Sequence, residues 1–502
     1  MLETINQAFY HAFALGNILA LSFGTIMGVT VGIIPGIGPM VGMVILLPFT
    51  FSLSPSIALS LLLGVFCGGY FGGGIPAVLM RAPGTPSSLV TSFDGYPLTQ
   101  KGESQLALSA AIVGSFSGGI ISVFILMLMA PVLSRIAASF GSPEYTMVAV
   151  FGLVIVIMAY RKHMAQGFLL TALGLWFSTV GIDAGTLVPR FNFGTVQMQT
   201  GLNIAPMCLG FFGIGQSLLL LERKILQSET INLTRRTLDF SKLLVAFKYR
   251  LTLIKSAIIG TLTGLLPGTG SILASFLAYT EAKRSSKNPE QFGTGTPEGC
   301  LASEAGNNAV PAGAMIPLLT LGIPGDALSA ILLGVFTANA IYPGPLLLVK
   351  EPVLIYTIYF SMFMINIIAI ILLALFLRPF ATIVKLPSSY LAICVMVISL
   401  LGIYSMNLQF FEVGVAIFMG VIGYIMLRLE WPIVTWVLGL VLGPIIEGRM
   451  RESLSMSSGN PTIFITRPIS LGFLIACILL IVIPLILDRK KKAGEKVSLT
   501  PK

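Results

Sequence analysis

The residues best suited to hold an ion or a carboxylate lie where a membrane helix would least accept them. The stretches "GVTVGIIPGIGP" (28–39) and "GTLTGLLPGTGS" (260–271) both read G-x-x-x-G-x-x-P-G-x-G, at a single offset of 232 residues. Proline and glycine are the poorest helix formers, so each stretch marks a break. Pro35, Gly36 and Gly38 in the first, and Pro267, Gly268, Thr269 and Gly270 in the second, can turn free backbone N–H groups toward an anion. They are therefore substrate-binding candidates. Gly28, Gly32, Gly260 and Gly264 have the simpler reading of small-x-x-x-small faces for helix packing. No Lys-Ser/Thr follows either run, which excludes a Walker-type phosphate loop.

A third stretch, "SEAGNNAVPAGAMIP" (303–317), gathers Ser303, Glu304, Asn307 and Asn308 between apolar runs. Amide oxygens suit a small cation and amide nitrogens suit a carboxylate. The stretch is expected to be a glycine-rich break, with Ser303, Asn307 and Asn308 joined by Asp326 as ligands of Na+. Asn307 and Asn308 are expected to meet the substrate as well. The plainer reading is a polar loop at the membrane surface. Thr85, Ser87 and Ser88 follow Pro83-Gly84, as Asp326 follows Pro324-Gly325. N-capping is the ordinary role at such positions, and Thr85 and Ser87 are the substrate-binding candidates there. Arg81 would face an anionic ligand or snorkel.

Other chemistry is missing from the pattern. The five cysteines are scattered with no C-x-x-C and read as small buried hydrophobes, and His11 and His163 have no zinc-ligand spacing. No G-x-S-x-G or H-E-x-x-H occurs, so an enzyme is not expected. An ATP-driven pump is excluded for want of an ATP-binding motif.

The elements that must carry these residues follow from composition. Of 502 residues, 55% are hydrophobic and 10% charged, against about 25% charged in soluble proteins. Apolar runs such as 104–131, 143–160, 203–221, 353–377, 389–407 and 469–487 are each long enough to cross a hydrocarbon core of roughly 30 Å. The expected fold is an all-α polytopic membrane protein with roughly 11–12 membrane segments. The net charge of +10 sits in short loops, a topology signal that argues against nucleic-acid binding. "MLETINQAFYHAFALGN" has no Lys or Arg and reads as an interfacial helix rather than a signal peptide.

A second motif pair, "IPAVLMRAPGTPSSL" (75–89) and "IPLLTLGIPGDAL" (316–328), recurs at an offset of 241, with the polar insert 282–299 supplying the difference. The chain thus divides into an interfacial segment (1–16), a first transmembrane repeat (17–222) and a basic cytoplasmic loop (223–250). A second repeat (251–446), an extracytoplasmic loop (447–468), a C-terminal transmembrane helix (469–488) and a basic cytoplasmic tail (489–502) follow. The first proline-glycine unit has uncharged flanks and the second has basic ones. By the positive-inside rule the two re-entrant hairpins then enter from opposite sides, giving inverted-topology repeats with broken helices. Arg135, Arg449, Arg451 and Arg467 run against that rule.

Taken together, "GVTVGIIPGIGP", "GGGIPAVLMRAPGTPSS", "FDGYPLTQKGE" (93–103), "GLLPGTGS", "EAGNNAVPAGAMIPLLTLGIPGDA" and "NAIYPGPLL" (339–347) resemble the large membrane subunit (TctA-type) of the tripartite tricarboxylate transporters. The resemblance covers most of the chain. It implies a bacterial inner-membrane secondary transporter for organic acids such as citrate. Its partners would be a small membrane subunit (TctB-type) and a periplasmic solute-binding protein (TctC-type). It implies a cation gradient as the driving force. Na+ or H+ would be the coupling ion, and the lack of buried acidic pairs favours Na+. A passive channel or facilitator is the alternative.

Overall fold

A computed structural model of the chain describes residues 2–35, 38–160, 163–183, 185–222, 248–266, 270–383 and 388–498. Gly36, Pro267, Gly268 and Thr269, and most of the basic loop 223–250, therefore lie outside the described residues. Among the described residues, eight helices are long and apolar enough to cross a membrane, and five shorter apolar helices accompany them. Among the described residues the strands are one two-residue pair, Gly181–Ile182 with Pro189–Arg190. The chain forms two compact units, residues 1–137 with 203–430, and residues 138–202 with 431–502.

The first unit is organised by glycine. Helix Leu15–Ile33 lies so close to Pro55–Met80 that a Cβ at Gly28 would meet Val65 O at 2.5 Å, and one at Gly32 would collide with Gly69 O. Helix Arg250–Leu265 repeats this against Pro297–Leu321, with Gly260 against Gly306 O and Gly264 against Val310 O. The partners Val65 and Gly69 stand 241 residues before Gly306 and Val310, the offset of the Ile-Pro motifs. The same offset relates the left-handed residues that end the two long helices, Arg81 (φ 56°) and Gly322 (φ 73°). After each end the Pro-Gly turn folds back on the first helix of its own half. A Cβ at Gly84 would strike Gly32 O, and one at Gly325 would come within 2.9 Å of Gly264 O. Without a driving force for burial in lipid, such backbone-to-backbone packing is what associates helices.

The breaks also match. Gly38 (φ 71°) opens helix Gly38–Thr50, and Gly270 (φ 70°) opens Gly270–Ser285; side chains rarely adopt this conformation.

The polar insert is held by one carboxylate. Asp94, in helix Ser92–Gln100, accepts from Gly293 N and Gly295 N (both 2.8 Å) and Thr296 N (3.1 Å) through Oδ1. Its Oδ2 accepts from the Tyr279 hydroxyl (2.9 Å). Four donors on one buried carboxylate fix the approach to Pro297–Leu321.

In the second unit, Ser142–Ala159, Met164–Phe177, Ile433–Met456 and Pro468–Ser498 pack together. Three of the arginines that contradict the charge rule are paired here. Arg449 pairs with Glu452 (2.9 Å), Arg451 with Asp183 (3.0 Å) and Glu447 (2.7 Å), and Arg467 with Glu144 (2.9 Å). Their charge is locally offset.

Candidate functional site

The centre of the first unit is the helix Pro297–Leu321, buried from Glu298 to Thr320. It runs unbroken through 303–317, so the expected break or surface loop there is replaced by regular helix. The prolines at 311 and 317 are tolerated because close packing on every side and the flanking helices protect the backbone. Continuity has a chemical result. Glu304, Asn307 and Asn308 stand at i, i+3 and i+4, the spacing that puts side chains on one face.

Glu304 is the hub. Its Oε1 accepts from Thr91 Oγ1 (2.6 Å), and its Oε2 from Ser115 Oγ (3.2 Å), Asn307 Nδ2 (3.3 Å) and Asn308 Nδ2 (3.0 Å). Asn308 Nδ2 also reaches Ser115 Oγ (2.8 Å), and Asn307 Nδ2 reaches Ser88 Oγ (3.4 Å). Ser303 joins through Thr91, 3.0 Å between hydroxyl oxygens, and its hydroxyl donates to Gly299 O at 2.9 Å. Glu304, Asn307, Ser303, Thr91 and Ser88 are fully or almost fully buried. Every recorded partner of this carboxylate is an uncharged hydroxyl or amide.

Three segments of the first half complete the group. The 3-10 turn Pro86–Leu89 contributes Ser88, and its hydroxyl meets that of Thr85 (3.0 Å), which in turn meets Ser87 (3.1 Å). Helix Ser104–Ala137 contributes Ser115. Helix Pro55–Met80 contributes space: a Cβ at Gly74 would lie 2.8 Å from Glu304 Oε1, and one at Gly73 would strike Thr85 Oγ1.

The sequence-derived candidates thus divide. Asn307 and Asn308 meet at Glu304 and Ser303 reaches it through Thr91, while Thr85 is linked to Asn307 through Ser88 and Ser87 stands one hydroxyl further, through Thr85. Pro35 is half-buried at the turn after Leu15–Ile33, and Gly38 and Gly270 start their helices. Gly36, Pro267, Gly268 and Thr269 lie outside the described residues. Asp326 stands apart as N-cap of Ala327–Ala338, its Oδ1 accepting from Ser329 N (2.8 Å) and Ser329 Oγ (2.7 Å). It also interacts with the Tyr70 hydroxyl from the first half. The residues missed in the sequence were Glu304 as hub, Thr91, Ser115 and Gly74. One signal was available: Glu304 is the acid beyond the first turn of an apolar helix, and an intramembrane acid is a functional hypothesis by default.

The family model described as "Tripartite tricarboxylate transporter TctA family" matches residues 18–438. A 52.8 kDa Agrobacterium vitis protein from the TAR-I ttuC' 3' region is 33% identical over 427 residues, covering 84% of each chain. A second A. vitis protein, from the TAR-II ttuC' 3' region, is 36% identical over 234 residues, which is 46% of this chain and 97% of that protein. No solved structure matches.

Proposed function

Since the chain belongs to the tripartite tricarboxylate transporter TctA family, a family of membrane transporter subunits, we propose that it is the large subunit of a secondary active importer. Its substrate is a small di- or tricarboxylate such as citrate, carried by symport with Na+ rather than H+. It works with a small TctB-type membrane subunit and a periplasmic TctC-type solute-binding protein, in the bacterial inner membrane with its C-terminus cytoplasmic. Its two halves are inverted repeats. The doubled glycine register supports the repeat, and the charge flanks of the two hairpins support the inverted orientation.

The observation that carries this reading is the buried polar group built from both halves, Glu304, Asn307 and Asn308 from one and Thr91, Ser88 and Ser115 from the other. A polar group so deep in an apolar bundle belongs to a solute or ion path. Asn307, Asn308 and Ser303 serve the cation, with Asp326 as a further acid. The Pro35–Gly38 and Pro267–Gly270 tips, Thr85, Ser87 and the asparagine nitrogens serve the substrate carboxylates.

The test is labelled-citrate uptake into proteoliposomes holding the chain and its two partners. Accumulation above the outside concentration under an inward Na+ gradient, abolished when the gradient is collapsed, is the expected result. Equilibration without accumulation makes the chain a passive facilitator and overturns the symport reading. A protease-sensitive tag at residue 502, digested only in inverted vesicles, checks the C-terminal side.

A further inference from the structure

Hydrogen bonds alone do not account for the surroundings of Glu304. Its carboxylate accepts from Thr91, Ser115, Asn307 and Asn308 and has no positive partner among the described residues, in a fully buried site. An unpaired buried charge costs several kcal/mol, so the group needs a proton or a cation. Asn307 supplies an independent sign. Its Oδ1 is buried and accepts no hydrogen bond, although the same planar amide donates to Glu304. The nitrogen of the same amide lies 3.3 Å from Glu304 Oε2 and 3.4 Å from Ser88 Oγ, and a buried amide oxygen with both lone pairs free is the kind of group with which a small cation replaces its water shell.

We propose that Glu304 is the charged ligand of a monovalent-cation site completed by Asn307 Oδ1 and the hydroxyls of Thr91 and Ser88, and that Na+ and H+ compete for it. The inference rests on the cation-symport reading and deepens it. Entry of Na+ releases the carboxyl proton to solvent, so that the buried group is neutral in total in either state. Selection between the two ions is then set by one carboxylate.

Among the described residues, the neighbouring elements bring no other group able to play this part. The Pro86–Leu89 turn and Ser104–Ala137 offer hydroxyls, and Pro55–Met80 offers Gly74. Cys300, one turn earlier on the same helix, is a buried thiol. Tyr279 on Gly270–Ser285 and Asp94 on Ser92–Gln100 are bonded to each other. Lys255 on Arg250–Leu265 pairs with Glu281 (3.5 Å), and Asp326, preceding Ala327–Ala338, is bonded to Ser329.

The test measures 22Na+ binding and dye-detected proton release on the purified full chain in nanodiscs, between pH 5.5 and 8.5. Wild type should bind Na+ with up to about one proton released per ion at the acid end. Its apparent Kd should rise about tenfold per pH unit there. Glu304→Gln should bind at least about tenfold more weakly and release no proton. Asn307→Ala should weaken binding but keep the proton release, which gives a readout should Glu304→Gln fail to fold. Binding by wild type that is independent of pH and releases no proton overturns the proposal, as does unchanged binding by Glu304→Gln. Na+-driven citrate uptake that persists in Glu304→Gln removes this inference and leaves the symport reading standing. Uptake by wild type that ignores Na+ removes the symport reading itself.

Discussion

At the scale of single residues, the site depends as much on a missing side chain as on those present. The Gly74→Ala methyl would lie 2.8 Å from Glu304 Oε1, the end of a movable side chain. The helix itself gains from alanine. We therefore expect Gly74→Ala to remain folded with an unchanged melting temperature while uptake falls at least about tenfold, since 1 Å displacements of a positioned group have such effects. Uptake and melting are measured on the same preparation. Ser115 makes the complementary case. Its hydroxyl donates to Glu304 Oε2 and accepts from Asn308 Nδ2, so Ser115→Ala removes a partner from each. It should cost about 1–3 kcal/mol, read as a lower unfolding midpoint. An unchanged midpoint would mean that the two groups find other partners.

At the scale of elements, the two glycine-packed helix pairs make a comparative prediction. A Cβ at Gly264 meets only backbone, Val310 O at 2.6 Å and Ala314 N and Gly313 Cα at 3.1 Å. None of these can move without parting the helices. Gly264→Val should destabilise by about 2 kcal/mol or more. Gly414, inside helix Phe410–Arg428, has nothing within 4 Å of its Cβ position, and Gly414→Ala should be neutral or stabilise by up to about 1 kcal/mol. Thermal unfolding of the two variants side by side checks the pair. The ends of the long helices differ in one respect. Arg81 occupies the left-handed conformation that Gly322 provides in the other half. Arg81→Gly should raise stability by about 1 kcal/mol, and its effect on uptake tells whether the guanidinium meets the substrate.

At the scale of the whole molecule, acid sensitivity is assigned to the second unit. The carboxyl of Asp183 is held down to about 2 by the Thr186 hydroxyl, then by the Gly185 N–H and Arg451. An ordinary aspartate titrates near ~4. A depressed value means stability fully present above the unfolded pKa and lost as pH falls through the folded one. Protection of the segment 178–203 from proteolysis should therefore decline between about pH 4 and 2, and Asp183→Asn should flatten that decline while lowering protection at neutral pH. A wild-type profile as flat as the variant's would remove Asp183 from the account.

Composition and period were enough to determine an all-helical membrane chain, because about 20 apolar residues have no other stable form in lipid. Two motif pairs at fixed offsets were enough to locate the glycine faces, since close approach tolerates no side chain. The breaks at Gly38 and Gly270 were legible for the same local reason. The state of 303–317 was not. Local preference for Gly, Asn and Pro favours a break, and only enclosure by the surrounding helices makes the helical form the one that satisfies its backbone. That outcome turned Glu304 from a neighbour of the asparagines into their hub. Ser115 and Gly74 were invisible beforehand, because a serine or glycine in an apolar helix gains a role only from what the tertiary structure sets against it.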